Sequence, residues 1–333
     1  MEKTYTLQLF GAADRDAFDA TFAAMAPGTD QAVQARRRWW CFDNPRGGVF
    51  ALFHDGEQIA ATCYLGGKRI AGDTGSVAGF EIGETATDPR HQRKGLFSKL
   101  VRACVAHAAG NATPLVYGTP NSQSTPGYAK LGFEIVEAPA SWLFLIPSLR
   151  YGMRYGASKW LHREAPPGGS SRADRTGRPR HEVTAQDYVE TTASYPRLND
   201  SDRDYLSWRL ADAPMNYRFA RIDTRAGPFE CALKIGQLGD HKVVVVAEYF
   251  LGGTRPPLRK AARLLRRAVA DLGMTGMGIY VHAQRPVGAG LALLYAARIV
   301  PHRVLPICVT GIDAGRGEHA WFGRFQLSDC DIG

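Results

Sequence analysis

A basic turn with a single glycine carries residue types that suit the binding of a phosphate group. It runs from Asp88 to Ser98, with a glycine at Gly95 and cationic side chains at Arg93 and Lys94. A helix N-terminus attracts anions through its unpaired N–H groups and its dipole, and a glycine lets a diphosphate approach the backbone closely. The turn therefore predicts an anion site. The alternative is a solvated basic loop, which is common before helices.

The segments on both sides of this turn would place it at the start of a helix. Residues 77–87 are rich in β-branched side chains and contain two acids, Glu81 and Glu84, and this pattern predicts a strand. After the turn, apolar side chains recur at helical spacing, which predicts a helix over residues 95–109. Glu81 and Glu84 would face opposite sides of the strand unless a bulge intervenes.

The size and composition of the chain limit the kind of protein in which this turn lies. With 333 residues, of which 45% are hydrophobic and 22% are charged, the chain can bury the cores of two domains. No apolar run approaches the roughly 18 residues that cross a bilayer, and the first residues carry no apolar secretion signal. We therefore expect a cytoplasmic protein without stable membrane insertion.

Cysteine content and charge narrow the classes of ligand. The six cysteines are scattered without the paired spacing of disulfides or zinc ligands, which predicts buried free thiols and no metal. The formal charge of +9 favours anionic partners such as phosphorylated small molecules. Much of this charge falls in a stretch with the composition of a solvated linker, so we expect no nucleic-acid partner. Tethering to nucleic acid or an anionic membrane through this stretch is the alternative.

That linker, residues 148–181, separates two halves that resemble each other. It is basic and rich in proline, glycine and serine, which predicts a flexible and partly disordered connector. The pattern Trp-x-x-x-Asp-x-Pro occurs on each side of it, beginning at Trp39 and at Trp208. Ordered echoes of this kind indicate an internal duplication. We therefore predict domains at residues 1–147 and 182–333.

The periodicity of both halves predicts mixed α/β structure, with a hairpin at Asp55-Gly56. In the first half we predict helices at 12–25, 31–40, 95–109 and 126–131, and strands at 48–53, 58–68, 77–87, 115–118, 133–137 and 140–146. In the second half we predict several strands, a long helix at 257–272, a strand at 276–282 and a helix at 288–297.

Two short motifs lie on these elements at a characteristic separation. Gln92 to Phe97 fits the pattern Arg/Gln-x-x-Gly-x-Gly/Ala, except that Phe97 stands at the last position. Asn121 and Tyr128 fit Asn-x6-Tyr, and the sequence Leu-Gly-Phe follows at residues 131–133. Both motifs resemble those of the GNAT superfamily of acyl-CoA-dependent N-acyltransferases. The resemblance covers the first half well and the second half in outline.

The resemblance implies an α/β (α+β) fold of two GNAT-like domains, each a mixed, mostly antiparallel sheet flanked by helices. Residues 1–147 would be the acyl-CoA-binding catalytic domain. Residues 182–333 would be a degenerate copy that shapes the acceptor site. Ala261 stands there in place of the motif glycine, and no second Asn-x6-Tyr is present, so only the first half should bind acyl-CoA.

The implied co-substrate is acetyl-CoA or another short acyl-CoA, with no metal. The strand backbone would pair with pantetheine, although its threonines could be simple strand formers, and the turn would hold the diphosphate. Phe97 could narrow the turn, although its backbone N–H can still donate. Asn121 would anchor pantetheine or cap the helix that follows. The expected cofactor-binding residues are Thr85, Ala86, Thr87, Gln92, Arg93, Lys94, Gly95, Leu96, Phe97, Ser98 and Asn121.

Acyl transfer to an amine needs a base for the amine and a proton for the leaving thiolate. The resemblance implies Glu81 as the base, eleven residues before Gln92, with Glu84 as the second candidate. Either carboxylate could instead pair with a basic neighbour such as Arg90. Tyr128 would be the acid, since a phenol of pKa about 10 can protonate a thiolate. Its alternative is a half-buried packing role.

The acceptor is less constrained than the donor. A full cofactor site in one half beside a degenerate copy resembles bacterial sugar N-acyltransferases, which implies the amino group of a nucleotide-linked deoxysugar. An aminoglycoside-like small amine and a peptide amine are alternatives. A module that binds acyl-CoA without turnover is a further alternative of a different class. The sequence leaves homo-oligomerisation open.

Overall fold

The computed structural model describes residues 4–72, 75–111, 113, 115–145, 181–197, 202–238, 241–274, 276, 278–283 and 299–311. The chain divides into two compact units, and each unit draws on both halves of the sequence. Unit 1 comprises Met1–Ala138, Arg197–Pro214 and Leu305–Arg324, and unit 2 comprises Pro139–Pro196, Met215–Val304 and Phe325–Gly333.

The first half of the sequence forms a mixed sheet with helices on both faces, and the α/β prediction is confirmed. Strands β1 to β4 pair antiparallel in sequence order, and β4 then pairs parallel with β5. Its elements are β1 (Thr6–Phe10), α1 (Arg15–Met25), α2 (Gln31–Cys41), β2 (Gly48–His54), β3 (Ile59–Gly72), β4 (Gly75–Thr87), α3 (Leu96–Gly110), β5 (Leu115–Gly118), α4 (Thr125–Lys130) and β6 (Glu134–Leu145).

The second half repeats this order of elements. Strands β7 to β10 pair antiparallel and β10 pairs parallel with β11, as β4 does with β5. The elements are β7 (Glu182–Val183), α5 (Ala185–Thr192), α6 (Arg203–Leu206), β8 (Arg218–Ile222), β9 (Phe229–Leu238), β10 (His241–Leu251), α7 (Leu258–Asp271), β11 (Gly278–Ala283) and β12 (Ile299–Thr310).

The last strand of each half pairs with a strand of the other half. Strand β6 lies antiparallel to β11, with Ile279 opposite Phe144, and β12 lies antiparallel to β5, with Cys308 opposite Gly118. In each case the exchanged strand occupies the place that follows the parallel pair. This exchange explains why both units contain segments from distant parts of the chain.

Unit 1 buries apolar side chains on both faces of its sheet. Helix α3 packs on one face, where Leu96, Leu100 and Cys104 meet Ile82 of β4. Helices α1 and α2 cover the other face, where the ring of Phe18 contacts Phe50. Strand β2 is consequently buried along its whole length. In unit 2 the apolar side of α7 packs against β8 to β11 in the same manner.

Some sequence predictions differ from the structure. The predicted strands 133–137 and 140–146 are one continuous strand, Glu134–Leu145. Strand β1 was not predicted; it is a short strand whose Leu7 and Leu9 side chains are exposed. The predicted helix 288–297 and, apart from residue 181, the predicted linker 148–181 lie outside the described residues. Among the helices of the described ranges, none combines the length and apolar character needed to cross a membrane.

Candidate active site

The glycine of the basic turn, Gly95, immediately precedes helix α3 and adopts the left-handed conformation. Gly95 has φ +72° and forms the N-cap of α3. A Cβ added there would meet nothing within 4 Å. The backbone conformation therefore calls for glycine, because side chains disfavour positive φ. The N–H groups of Leu96, Phe97 and Ser98 occupy the first turn that follows, where a helix has no internal acceptors for them.

The turn before Gly95 is built around Asp88. The Asp88 carboxylate accepts hydrogen bonds from the Arg90 backbone N–H at 2.8 Å and from the Arg90 guanidinium at 3.0 Å. These bonds lower the pKa of Asp88 to about 2. Arg90 is thereby engaged with Asp88 and not with Glu81 or Glu84. The structure thus excludes Arg90 as the basic neighbour of the two candidate bases.

The other polar side chains of the turn, at residues 91–94, differ in their contacts and in their exposure to solvent. Lys94 Nζ donates to Tyr5 Oη at 2.8 Å, and Gln92 Nε2 lies 3.4 Å from the carbonyl oxygen of Thr87. His91 is buried, and its ring nitrogens lie 2.9 Å from Tyr5 Oη and 2.8 Å from Gln58 Nε2. Arg93 is exposed, has φ +62° and has no ion-pair partner within the described part of the chain.

Strands β4 and β5 separate at the end of their parallel pairing. The last paired residues are Glu81 and Tyr117, whereas β4 continues to pair with β3 as far as Thr87. The strands are still close at Gly118, where an added Cβ would lie 2.6 Å from the carbonyl oxygen of Ile82. Beyond this point the edge of β4 over residues 83–87 has no partner on β5. The predicted pantetheine-binding residues Thr85, Ala86 and Thr87 lie along it.

Phe97 packs against helix α4. A Cβ added at Gly127 would lie 2.6 Å from the Phe97 ring, and the Phe97 and Tyr128 ring centroids are 5.3 Å apart with an edge-on arrangement. The ring therefore fills the space between α3 and α4. Its backbone N–H stays in the first turn of α3.

Tyr128 lies against the open edge of β4. Its Oη is 2.8 Å from Oγ1 of Thr85, and its ring is buried between Phe97 and Phe133. Burial, reinforced by the neighbouring Cys63, raises the pKa of Tyr128 well above its usual value. The phenol is therefore protonated throughout the neutral range. The Tyr128 ring thus packs in the core, and its hydroxyl lies beside Thr85.

The Asn121 side chain stabilises the turn that leads into α4. Its Oδ1 accepts from the backbone N–H groups of Gln123 and Ser124, both at 2.9 Å. The N-cap of α4 is Ser124, so the Asn121 side chain stabilises the turn before the helix and does not cap the helix itself. The side chain is exposed, and its amide nitrogen is not used by these bonds.

Glu84 lies in a β-bulge. Tyr64 pairs with Gly83 and Thr62 pairs with Ala86, so two residues of β4 oppose the single Cys63 of β3. Glu84 has φ +45°. Its carboxylate binds two guanidinium groups of α2, from Arg36 at 2.6 Å and from Arg37 at 3.0 Å.

Glu81 is buried in an ion pair with Lys68 of β3. The Lys68 Nζ lies 2.9 Å from Glu81 Oε2, and neither side chain is more than 2% exposed. Lys68 also donates to Tyr205 Oη at 2.9 Å and lies over the ring of Trp40 at 4.9 Å. A regular strand would place Glu81 and Glu84 on opposite faces of the sheet. The bulge adds one residue between them, so both candidate bases lie on the α2 side.

Sequence reasoning missed these cationic partners. Lys68 lies within the largely apolar strand β3, where a buried cation is not expected, and nothing in its local sequence identifies the Glu81 contact. Arg36 and Arg37 belong to the run Arg-Arg-Arg-Trp-Trp of α2. Their pairing with Glu84 depends on the bulge in β4, which leaves no mark in the sequence.

The start of α7 differs from the start of α3. Pro257 occupies the N-cap with φ −54°, and no left-handed glycine precedes the helix directly. Pro256 and Pro257 have no backbone N–H. The turn before α7 therefore lacks the left-handed glycine that would let an anion approach the backbone closely.

Comparison with known proteins agrees with this geometry. Residues 12–136 match the family model of the acetyltransferase (GNAT) domain. No curated protein matches the sequence.

Two solved structures share the fold over 92% of this chain and 72% of their own. One is a probable N-acyltransferase of unknown function from Enterococcus faecalis V583, with TM-score 0.55 and 14% identity. The other is a GCN5-related N-acetyltransferase from Anabaena variabilis ATCC 29413, with TM-score 0.54 and 10% identity. At such identities the likeness concerns the fold. The match of residues 12–136 to the acetyltransferase (GNAT) domain identifies the protein as an acyltransferase enzyme.

Proposed function

We propose that this enzyme transfers an acetyl or other short acyl group from acyl-CoA to a primary amine by direct attack. One arrangement carries the proposal: the free edge of β4 ends at a turn with a left-handed glycine, and a protonated phenol lies beside that edge. The diphosphate of CoA would bind the N–H groups of Leu96 to Ser98 and the Arg93 side chain. The pantetheine arm would extend along residues 83–87.

The proposed reaction needs few protein groups. The amine nitrogen attacks the thioester carbonyl carbon, the C–S bond breaks, and the products are an amide and CoA thiol. Tyr128 would give its proton to the departing sulfur, and its raised pKa ensures that the proton is present at neutral pH. The base would remove one proton from the attacking amine.

We propose Glu81 as that base. It is the last residue of β4 before the strands separate, so it lies next to the point where the thioester would sit. Burial alone would lower the pKa of Lys68, but Glu81 and Tyr205 raise it above its usual value, so Lys68 remains a cation beside this carboxylate. Both oxygens of Glu84, in contrast, accept hydrogen bonds from guanidinium groups.

For the acceptor we propose the amino group of a nucleotide-linked amino deoxysugar, with residues 182–333 shaping its site. The net charge of +9 suits both a nucleotide diphosphate and CoA. The second half repeats the fold of the first without its anion-binding turn, which leaves it free for a different role. Small aminoglycoside-like amines and peptide amines are the rival acceptors.

The experiment is a thiol-release assay with the purified full chain and acetyl-CoA or another short acyl-CoA. The acceptors are dTDP- and UDP-linked amino sugars, free aminoglycosides and short peptides. We expect release only with nucleotide-linked amino sugars, and a strong decrease in the Tyr128→Phe variant. Thiol release with only one of the other amines would identify that amine, and not a nucleotide-linked sugar, as the acceptor. Binding of CoA without release for any amine would favour a non-catalytic module.

A further inference from the structure

The β4 bulge decides which side chains face the reaction centre. Ile82 faces the core beneath α3. In a regular strand the side chains alternate, so Glu84 would also face α3 and Thr85 would face α2. The extra residue reverses this order. Glu84 reaches the arginines of α2, and Thr85 Oγ1 reaches Tyr128 Oη at 2.8 Å and Cys63 Sγ at 3.4 Å.

The conformation of this bulge is not one that glutamate adopts freely. Glu84 has φ +45°, and positive φ is strained for a residue with a side chain. Such a conformation persists where the surroundings hold it. Apart from the pairing of β4 with β3, the contacts of the Glu84 carboxylate hold the bulge in place.

These contacts are made by a pair of arginines, one for each carboxylate oxygen. Arg36 contacts Oε1 at 2.6 Å and Arg37 contacts Oε2 at 3.0 Å, with the Glu84 side chain 15% exposed. Arg37 is itself held over the rings of Phe22 and Phe50 at 5.2 and 5.5 Å. Charge-assisted bonds of this kind are stronger and more directional than neutral ones.

The second half contains a related arrangement. Strand β10 also has a bulge, between Val246 and Glu248, and the Glu248 carboxylate accepts a hydrogen bond from Tyr188 Oη at 3.0 Å. Tyr188 lies on α5, in the part of the repeat that corresponds to α1. A glutamate that ties a bulge to a helix is therefore present in both halves.

We propose that Arg36, Arg37 and Glu84 form a positioning clamp, which fixes the β4 bulge so that Thr85 orients the Tyr128 hydroxyl toward the leaving sulfur. Glu84 transfers no proton in this scheme. The inference rests on the proposed function, and it assigns Glu84 a role other than that of a base.

Glycine rescue separates the two roles of Glu84. Glu84→Ala removes the clamp and keeps the cost of positive φ, whereas Glu84→Gly removes the clamp and that cost together. We expect kcat to fall about 10- to 100-fold in Glu84→Ala and to recover partly in Glu84→Gly, with an unchanged pH profile and nearly unchanged KM for acyl-CoA. Equal losses in both variants, with loss of the acidic limb of the profile, would show that Glu84 is the base and overturn the proposal.

The arginines of α2 provide a matched series. Arg36→Met and Arg37→Met should lower kcat, whereas Arg38→Met should not, because Arg38 pairs with Asp19 on α1. Hydrogen exchange of the peptide that covers residues 80–90 supplies a readout independent of activity. It should speed up in Arg36→Met and Arg37→Met but not in Arg38→Met, even if no amine acceptor is found. Unchanged exchange in all three variants would overturn the clamp and leave the proposed function intact.

Discussion

Trp39 and Trp208 stack on each other and exchange hydrogen bonds. Their ring centroids are 4.5 Å apart, Trp39 Nε1 donates to the Trp208 carbonyl oxygen at 3.1 Å, and Trp208 Nε1 donates to the Trp39 carbonyl oxygen at 3.3 Å. Each tryptophan begins the repeated Trp-x-x-x-Asp-x-Pro pattern. Equivalent positions of the two halves thus meet in unit 1, through a contact that is itself reciprocal. It is a packing contact, as burial of both rings shows.

This contact should contribute strongly to the stability of unit 1. We expect Trp208→Ala to lower the free energy of unfolding by about 3–5 kcal/mol, the usual cost of removing a buried tryptophan. Trp208→Phe should lose less, since it keeps an aromatic ring. Urea unfolding monitored by circular dichroism measures both values, and Ile235→Ala, at a side chain that is 47% exposed, is the control. A Trp208→Ala protein as stable as the control would refute the packing role.

The Lys68 and Glu81 pair should behave as a buried ion pair. Lys68→Met leaves a carboxylate without its cation, and we expect a loss of about 3–5 kcal/mol in unfolding free energy. Glu81→Leu leaves the ammonium without its anion and should cost a similar amount. The double variant should be more stable than either single variant, because no buried charge is left alone. Additive losses in this double-mutant cycle would show that the two groups do not interact.

The same pair predicts how stability depends on alkaline pH. Burial opposes the charge of Lys68, but Glu81 and Tyr205 raise its pKa above that of an unfolded lysine, which is about 10.4. Its contribution to stability is therefore complete below about pH 10.4 and is lost as the pH rises through the folded-state pKa. The urea midpoint should fall more steeply above this pH in the wild type than in the double variant. Parallel curves would contradict the raised pKa.

The structure shows which features of the site were local enough to be predicted. The helix after Gly95, the strand with Glu81 and the short helix with Tyr128 were predicted, because periodicity and turn residues are written in neighbouring positions. The exchange of β6 and β12 was not, since pairing of distant strands leaves no local pattern. The ion pairs of Glu81 and Glu84 also escaped prediction. Their partners are 13 and about 48 positions away, and they meet only through the fold.

Tyr128 should act on the chemical step and not on donor binding. Tyr128→Phe keeps the packing against Phe97 and Phe133 and removes the hydroxyl, so we expect kcat to fall about 100-fold with little change in the Kd for CoA. Because burial raises the pKa of Tyr128, its ionisation should not reduce the wild-type rate below about pH 10. A Tyr128→Phe variant with wild-type kcat would show that Tyr128 only packs.

The central claim is that acyl-CoA binds once per chain, at the turn that begins α3. Isothermal titration of CoA onto the full chain tests it directly. Alanine at φ +72° costs roughly 1–2 kcal/mol, which favours other conformations of the turn that do not present its N–H groups. We therefore expect one site, weakened about tenfold by Gly95→Ala. The matched control is Gly110→Ala at the end of α3, where φ is not positive and an added Cβ meets nothing within 4 Å. Two sites per chain, or one site that Gly95→Ala and Gly110→Ala leave equally strong, would contradict the claim.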